Sequence, residues 1–247
     1  SSYSSHATSS SWSSSSSSYG GGLYSNGSAM ISNNQLSDNS LTSGSNGTRY
    51  RYGAGAFITG TGVVYNANAH LNNNSNDGLG GGFFMDVAVC HDNVFTGNQA
   101  SYGGGIYVNA GNAAIDACTL TNNTATTNGG GIYVNATNAT IDACTITSNT
   151  ATTGGGGIYG GKVIKNSIIR YNAGGIYTVA DTDSIYYNNI SHNSGFQVEH
   201  SSANNVNATN NWWNTRVDMV SIEEGIWHFY DEPDALGYVS YLPFLTE

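Results

Sequence analysis

The sequence predicts an all-β fold, a parallel β-helix (solenoid) of about eight coils closed by a C-terminal cap. Three observations carry this. Residues 103–128 and 129–154 are consecutive blocks of 26 residues that agree at 21 positions. A Gly-rich signature ending in an apolar residue recurs along most of the chain. So does a second signature, an apolar residue followed two places later by x-Asn. Units repeated at roughly 20–50 residues mark chains whose segments stack on their own copies.

The first signature reads GGGLY at 20–24, GAGAF at 53–57, GGGFF at 80–84, GGGIY at 103–107, 129–133 and 155–159, and AGGIY at 173–177. Its apolar place is filled by Leu23, Ala56, Phe83, Ile106, Ile132, Ile158 and Ile176, with Phe196 expected as the eighth. Successive members are 18 to 33 residues apart, the chain length that three short strands and their turns require. The second signature is Leu36/Asn39, Leu71/Asn74, Phe95/Asn98, Leu120/Asn123, Ile146/Asn149, Ile169/Asn172 and Ile190/Asn193.

Alignment on these Asn residues brings Ile31, Asn66, Cys90, Ile115, Ile141, Ile164 and Ile185 into one row. Asn34, Ala69, Asn93, Cys118, Cys144, Ser167 and Asn188 fall into another. Rows of like residues are expected to stack at about 4.8 Å, with Asn bonding along its own ladder and tolerating the turn's backbone. Eight coils give a rod of roughly 40 Å.

Composition narrows the function. Only 9% of residues are charged and the net charge is −10, with Arg49, Arg51, Lys162, Lys165, Arg170 and Arg216 the sole Lys and Arg residues. No basic stripe can be built from six, so nucleic acid is set aside. No run of 18 apolar residues occurs, so the chain is not expected to span a membrane. It starts at Ser, and any signal peptide is expected to have been removed or to lie outside this sequence. Sequons at Asn26, Asn46, Asn73, Asn122, Asn135, Asn138, Asn189 and Asn207 favour an extracellular or cell-surface setting with glycans as candidate partners.

Three regions follow: a Ser-rich N-terminal arm at 1–19, the β-helix at 20–206 and a capping segment at 207–247. The arm carries Tyr3, Trp12 and Tyr19, aromatics of little use to a plain linker. It is read either as a flexible stalk or as an arm ordering against a neighbouring subunit.

The repeats resemble the right-handed β-helices of surface proteins, including the bacterial polymorphic outer-membrane family. The end of the chain is similar to the closing module of archaeal, methanogen-type cell-envelope β-helix proteins. Asn210, Asn211, Trp212 and Trp213 match its NNWW element, His228 to Asp231 its acidic aromatic element, and Gly237 to Leu245 its last strand; Asn214 replaces the usual Gly. The resemblance covers residues 20–247 and implies the fold. For activity it implies little, since such proteins include shell components, adhesins and polysaccharide-degrading enzymes.

Candidate chemistry is sparse. Lys162, Lys165, Arg170 and Tyr171, with Asp181 and Asp183, are the nearest thing to the basic and acidic set of a polysaccharide lyase or glycoside hydrolase, or else a solvated face. Asp116 and Asp142 are expected one above the other, needing a Ca²⁺ bridge or solvent screening. Asp231, Glu232 and Asp234 in the acidic C-terminal segment are candidate Ca²⁺ ligands; the alternatives are a plain acidic surface or a partner for Arg49 and Arg51 on a neighbour. Cys118 and Cys144 are expected as inward neighbours, either stacked free thiols or a disulfide.

The favoured reading is a structural, self-assembling envelope protein: a sheath, surface layer or filament subunit whose main partner is itself. Tyr3, Trp12, Tyr19, Arg49, Arg51, Trp212 and Trp213 are its candidate assembly residues. A carbohydrate-active or carbohydrate-binding β-helix and an adhesin are the alternatives.

Overall fold

The computed structural model describes residues 18–26, 30–41, 51–59, 63–86, 88–109, 111–136, 138–179, 184–213, 219–227 and 237–245. It is a parallel β-helix in which every strand pairing among these residues is parallel and joins a strand to its counterpart in the next coil. Three long sheets run the length of the rod, of nine, nine and seven strands. The count therefore differs slightly from the expected eight coils, because the segment after residue 213 adds Ile226–Trp227 and Val239–Ser240 as ninth rungs.

The strand that follows each Gly signature, such as Ile106–Val108, forms the Gly-led sheet. The second sheet contains Ala114–Asp116 and the third Thr119–Thr121. The strands are short because each ends at a tight turn, where one residue takes a positive φ: Ala117 (51°) after the second sheet and Asn122 (56°) after the third. The residue in left-handed geometry stands just before the ladder position. The ladder Asn therefore serves the turn through its side chain, and the backbone tolerance expected of it belongs to its neighbour.

That side chain bonds in a fixed way. Asn123 donates from its backbone N and from Nδ2 to Asn149 Oδ1, at 2.9 and 3.0 Å, and Nδ2 also donates to the Phe95 carbonyl at 2.9 Å. The pattern runs from Asn39 through Asn73, Asn98, Asn123, Asn149 and Asn172 to Asn193. Gln197 closes it by accepting from Asn193 at Oε1. A buried amide with its partners fixed above and below holds each turn to the next.

The core lies between the three sheets. Ile115, Ile141 and Ile164 stack from the second sheet; Leu120, Ile146 and Ile169 stack from the third; Ile106, Ile132 and Ile158 stack from the Gly-led sheet, all fully buried. Each such side chain contributes about 1.5–3 kcal/mol by leaving water. The Gly runs fit because sheet and turn backbones meet there. A Cβ on Gly130 would stand 2.4 Å from the Thr150 carbonyl oxygen.

Two register expectations are corrected. In the second coil the third-sheet core position is His70 and the ladder residue is Asn73, where Leu71 and Asn74 were expected; Tyr65 and Asn68 likewise stand where Asn66 and Ala69 were expected. Hydrophobicity favoured Leu71, but His70 is buried between Phe83 and Phe95 and is hydrogen-bonded to Tyr65. In the Gly-led sheet Val198, not Phe196, pairs with Ile176.

The C-terminal end is closed from within the chain. Trp213, Ile222, Ile226 and Val239 join the core, with the short helix Met219–Glu223 preceding Ile226.

Candidate functional site

The repeat that builds the core also builds long outer rows, because alternate residues of each strand face out and their counterparts fall in register. Three of these rows are the features from which function can be argued.

On the first seven strands of the Gly-led sheet the residue after the core rung points outward and is aromatic, and on the eighth Glu199 takes that place. Tyr24, Phe57, Phe84, Tyr107, Tyr133, Tyr159 and Tyr177 stack face to face, with centroids 4.8–5.4 Å apart and planes within 16° of parallel. Tyr19, Tyr52, Leu79 and Tyr102 pack along one flank. Phe57, Phe84 and Tyr107 are buried by these neighbours. Burial, and then the adjacent phenols, push the Tyr107, Tyr133 and Tyr159 hydroxyls above the ordinary tyrosine value, so all stay protonated. Ring faces are spent on one another, and ring edges are what the ladder offers to a partner.

The outer side of the second sheet carries two parallel rows. One is Met30, Val64, Val89, Ala114, Thr140, Val163 and Ser184, in register from rung to rung. Met30 is 78% exposed, Val89 43% and Val64 36%, an apolar stripe in water. The other row is Ser32, Asn66, His91, Asp116, Asp142, Lys165 and Tyr186.

Asp116 and Asp142 are neighbours there, as expected, yet each has its own partner: His91 Nδ1 lies 2.7 Å from Asp116, and Lys165 Nζ lies 3.1 Å from Asp142. Partial burial raises the Asp142 carboxyl, but hydrogen bonds from Asn166 and Lys165 outweigh it and leave the group below its ordinary value. Each carboxylate thus has a partner side chain on an adjacent coil, and the His91–Asp116 pair is also open to solvent.

A family model described as the right-handed β-helix region matches residues 102–227, just over half of the chain. The chain belongs to that family. No curated protein and no solved structure matches it.

Within this β-helix the sequence-predicted residues fall in different places. Tyr19 is about half exposed at the edge of the aromatic ladder, stacked on Tyr52 at 5.2 Å. Arg51 is only 4% exposed, with Nε donating to the Ser75 carbonyl and Nη2 to Asp77. It is therefore engaged within this chain, by the turn one coil along. Trp213 is buried in the core, and Trp212 bridges Asn189 and Leu245. Tyr3, Trp12, Arg49, Asp181, Asp183, Asp231, Glu232 and Asp234 lie outside the described residues, so the expected Ca²⁺ ligands have no placement here. Among the described residues no cluster of His, Cys, Asp or Glu is arranged to hold a metal, and no helix is long and apolar enough to cross a membrane.

The basic set divides. Lys165 is taken by Asp142, whereas Arg170 lies over the Tyr171 ring at 5.0 Å, and Tyr171 packs against His192 at the equivalent turn of the next coil. All three cysteines are buried free thiols. Cys118 and Cys144 occupy the turn position that Asn93 fills in the preceding coil, and their sulfurs contact the same carbonyls: Asp116 and Cys90 for Cys118, Asp142 and Ile115 for Cys144. Cys118 Sγ also lies 3.7 Å from Cys90 Sγ. Here the thiols act as substitutes for a ladder amide.

The β-helix also shows what the sequence reading missed. His91 and Lys165 were not assigned to the aspartates, although both stand at the strand place of Asp116 and Asp142 in their own coils. Of the sequons, Asn73 is a fully buried ladder residue and is closed to glycan in the folded chain.

Proposed function

We propose that this chain is a structural, self-assembling component of a cell envelope or extracellular layer, its rods associating side by side. The observation that carries this reading is the exposed Met30–Val64–Val89 row on the outer side of the second sheet. An apolar stripe repeated at the rung spacing matches the same stripe on a second rod, and burying it removes several exposed aliphatic side chains from water at once. The low charge density of the chain supports close lateral approach. A setting outside the cell and an origin in the archaeal envelope belong to this proposal, resting on the sequons and on the NNWW-like ending.

The competing reading is a binder or degrader of acidic glycans, favoured by the Arg170–Tyr171–His192 cluster, where a guanidinium and an exposed ring share one turn. The aromatic ladder gives it little support, because sugars stack on ring faces and these are occupied. Size-exclusion chromatography with negative-stain imaging, run beside a depolymerisation assay on acidic polysaccharides, separates the two. Ordered multimers without glycan cleavage support assembly, and a persistent monomer that shortens the glycan overturns it.

A further inference from the structure

Coils six and seven depart from the rule for turn residues. The residue in left-handed geometry before each ladder position is small or polar elsewhere: Asp92, Ala117, Ala143, Asn166 and Asn210 at the corner entering the third sheet, and Gly97, Asn122 and Ser148 at the corner leaving it. Tyr187 takes the first corner at a φ of 57°, and Tyr171 and His192 take the second, each at 56°. Bulky rings are disfavoured in this geometry. Tyr171 and Tyr187 are 56% and 55% exposed, so burial does not offset the cost.

Between these corners lies a strip of the third sheet's outer face. Exposed Ile168 and Arg170 stand on one rung and Asn189 and Ser191 on the next, with Trp212 bridging to Asn189 beyond. The strip contains a sequon, Asn189-Ile190-Ser191. Asn188 and Ile190 are buried, so Asn189 points outward and is partly exposed. Ser191 Oγ donates to Asn189 Oδ1 at 2.8 Å, and Asn189 Nδ2, the atom that carries a glycan, makes no hydrogen bond among the described residues.

We propose that Asn189 carries an N-linked glycan whose first sugars fold back over this strip, with the Tyr187 ring supporting the first of them. Transfer joins Asn189 Nδ2 to the anomeric carbon of a lipid diphosphate-linked oligosaccharide; the amide gives up a proton and the lipid diphosphate leaves. The Ser191 hydroxyl, which completes the sequon, is fully buried, so transfer precedes closure of the seventh coil. Folding then keeps the sugar outside, because Asn189 faces out where Asn73 faces the core.

Asn135 gives the contrast. Its sequon also has a tyrosine two residues earlier, but both faces of Tyr133 are stacked, on Tyr107 at 5.1 Å and on Tyr159 at 4.8 Å. Tyr187 has one ring contact among the described residues, edge-to-face with Tyr186 at 5.4 Å. At least one of its faces is left for the apolar face of a sugar. The inference rests on the exported setting proposed above and does not depend on assembly.

The test produces the full chain in a secretory host that N-glycosylates and in a bacterial cytoplasm that does not, each as wild type and as Asn189→Gln. Glycopeptide mass spectrometry is expected to find Asn189 occupied in the secreted protein. The melting-temperature gap between wild type and Asn189→Gln should be larger for the secreted pair, by about 2–4 °C. That excess should vanish in a Tyr187→Ser background and survive in Tyr187→Phe. An unmodified Asn189, or an excess that is absent or that persists in Tyr187→Ser, overturns the proposal. Because the host supplies export and the sugar donor, either failure counts against this acceptor and leaves the envelope reading to its own sizing and imaging test.

Discussion

Tyr65 Oη and His70 Nε2 lie 2.7 Å apart in a space fully closed to water. The pair is the polar exception in a column of aliphatic and aromatic rungs, and it fixes the second coil's register. Burial holds the His70 imidazole down to about 3, only partly opposed by its hydrogen bond to the Gly82 carbonyl, so the folded ring is neutral.

The sign of its pH dependence follows. Between the folded value of about 3 and the ordinary value of 6.5, the unfolded chain binds a proton that the folded chain does not. Stability therefore rises with pH across that window, by up to about 1.4 kcal/mol per pH unit. The full contribution is present above 6.5 and is lost as pH falls toward 3. Urea unfolding across this range should show a flatter acid limb for the Tyr65→Phe/His70→Phe double variant. His70→Phe alone strands the Tyr65 hydroxyl and should cost about 1–3 kcal/mol at neutral pH.

Asn149→Ala removes the acceptor for the backbone N and Nδ2 of Asn123, and the donor to the Leu120 carbonyl and Asn172 Oδ1. Several buried groups lose partners at once, so a loss of about 3 kcal/mol or more is expected by chemical denaturation. The exposed Asn122, one residue before the equivalent ladder position, should tolerate Ala far better than Asn149 apart from its left-handed φ of 56°.

Two glycines separate close approach from backbone strain. Gly130→Ala puts a methyl 2.4 Å from the Thr150 carbonyl and forces adjacent coils apart, so loss of the folded state at 37 °C, or a loss of several kcal/mol, is expected (about 3 or more). Gly195 has open space around its Cβ position and a φ of +68°, so Gly195→Ala should cost only about 1 kcal/mol. Paired thermal melts check the difference.

Much of this architecture was legible because the fold repeats its own chemistry. The Gly runs mark places where backbones touch, and the apolar-x-x-Asn spacing marks a core rung followed by a turn. Coil two was misread because Asn72, Asn73 and Asn74 all fit the ladder, and a buried His looks less like a core residue than Leu71 does. Phe196 directly follows the glycine that opens that coil, but the rung falls two residues later, at Val198. Arg51 looked like a surface charge until Asp77 and the Ser75 carbonyl were seen to hold it. The outer Met30–Val64–Val89 row was hidden because taking Asn66 in place of Tyr65 as the inward residue of coil two sets Tyr65, not Val64, beside Met30 and Val89.

The central claim is that this row drives side-by-side association, and sedimentation velocity over a rising protein concentration tests it most directly, comparing wild type with Val64→Thr/Val89→Thr. Both positions face water and keep a β-branched residue, so the melting temperature should change little while the stripe becomes polar. The account predicts concentration-dependent multimers for wild type and a monomeric rod of equal stability for the variant. Wild type that stays monomeric, or a variant that assembles as well as wild type, would contradict it.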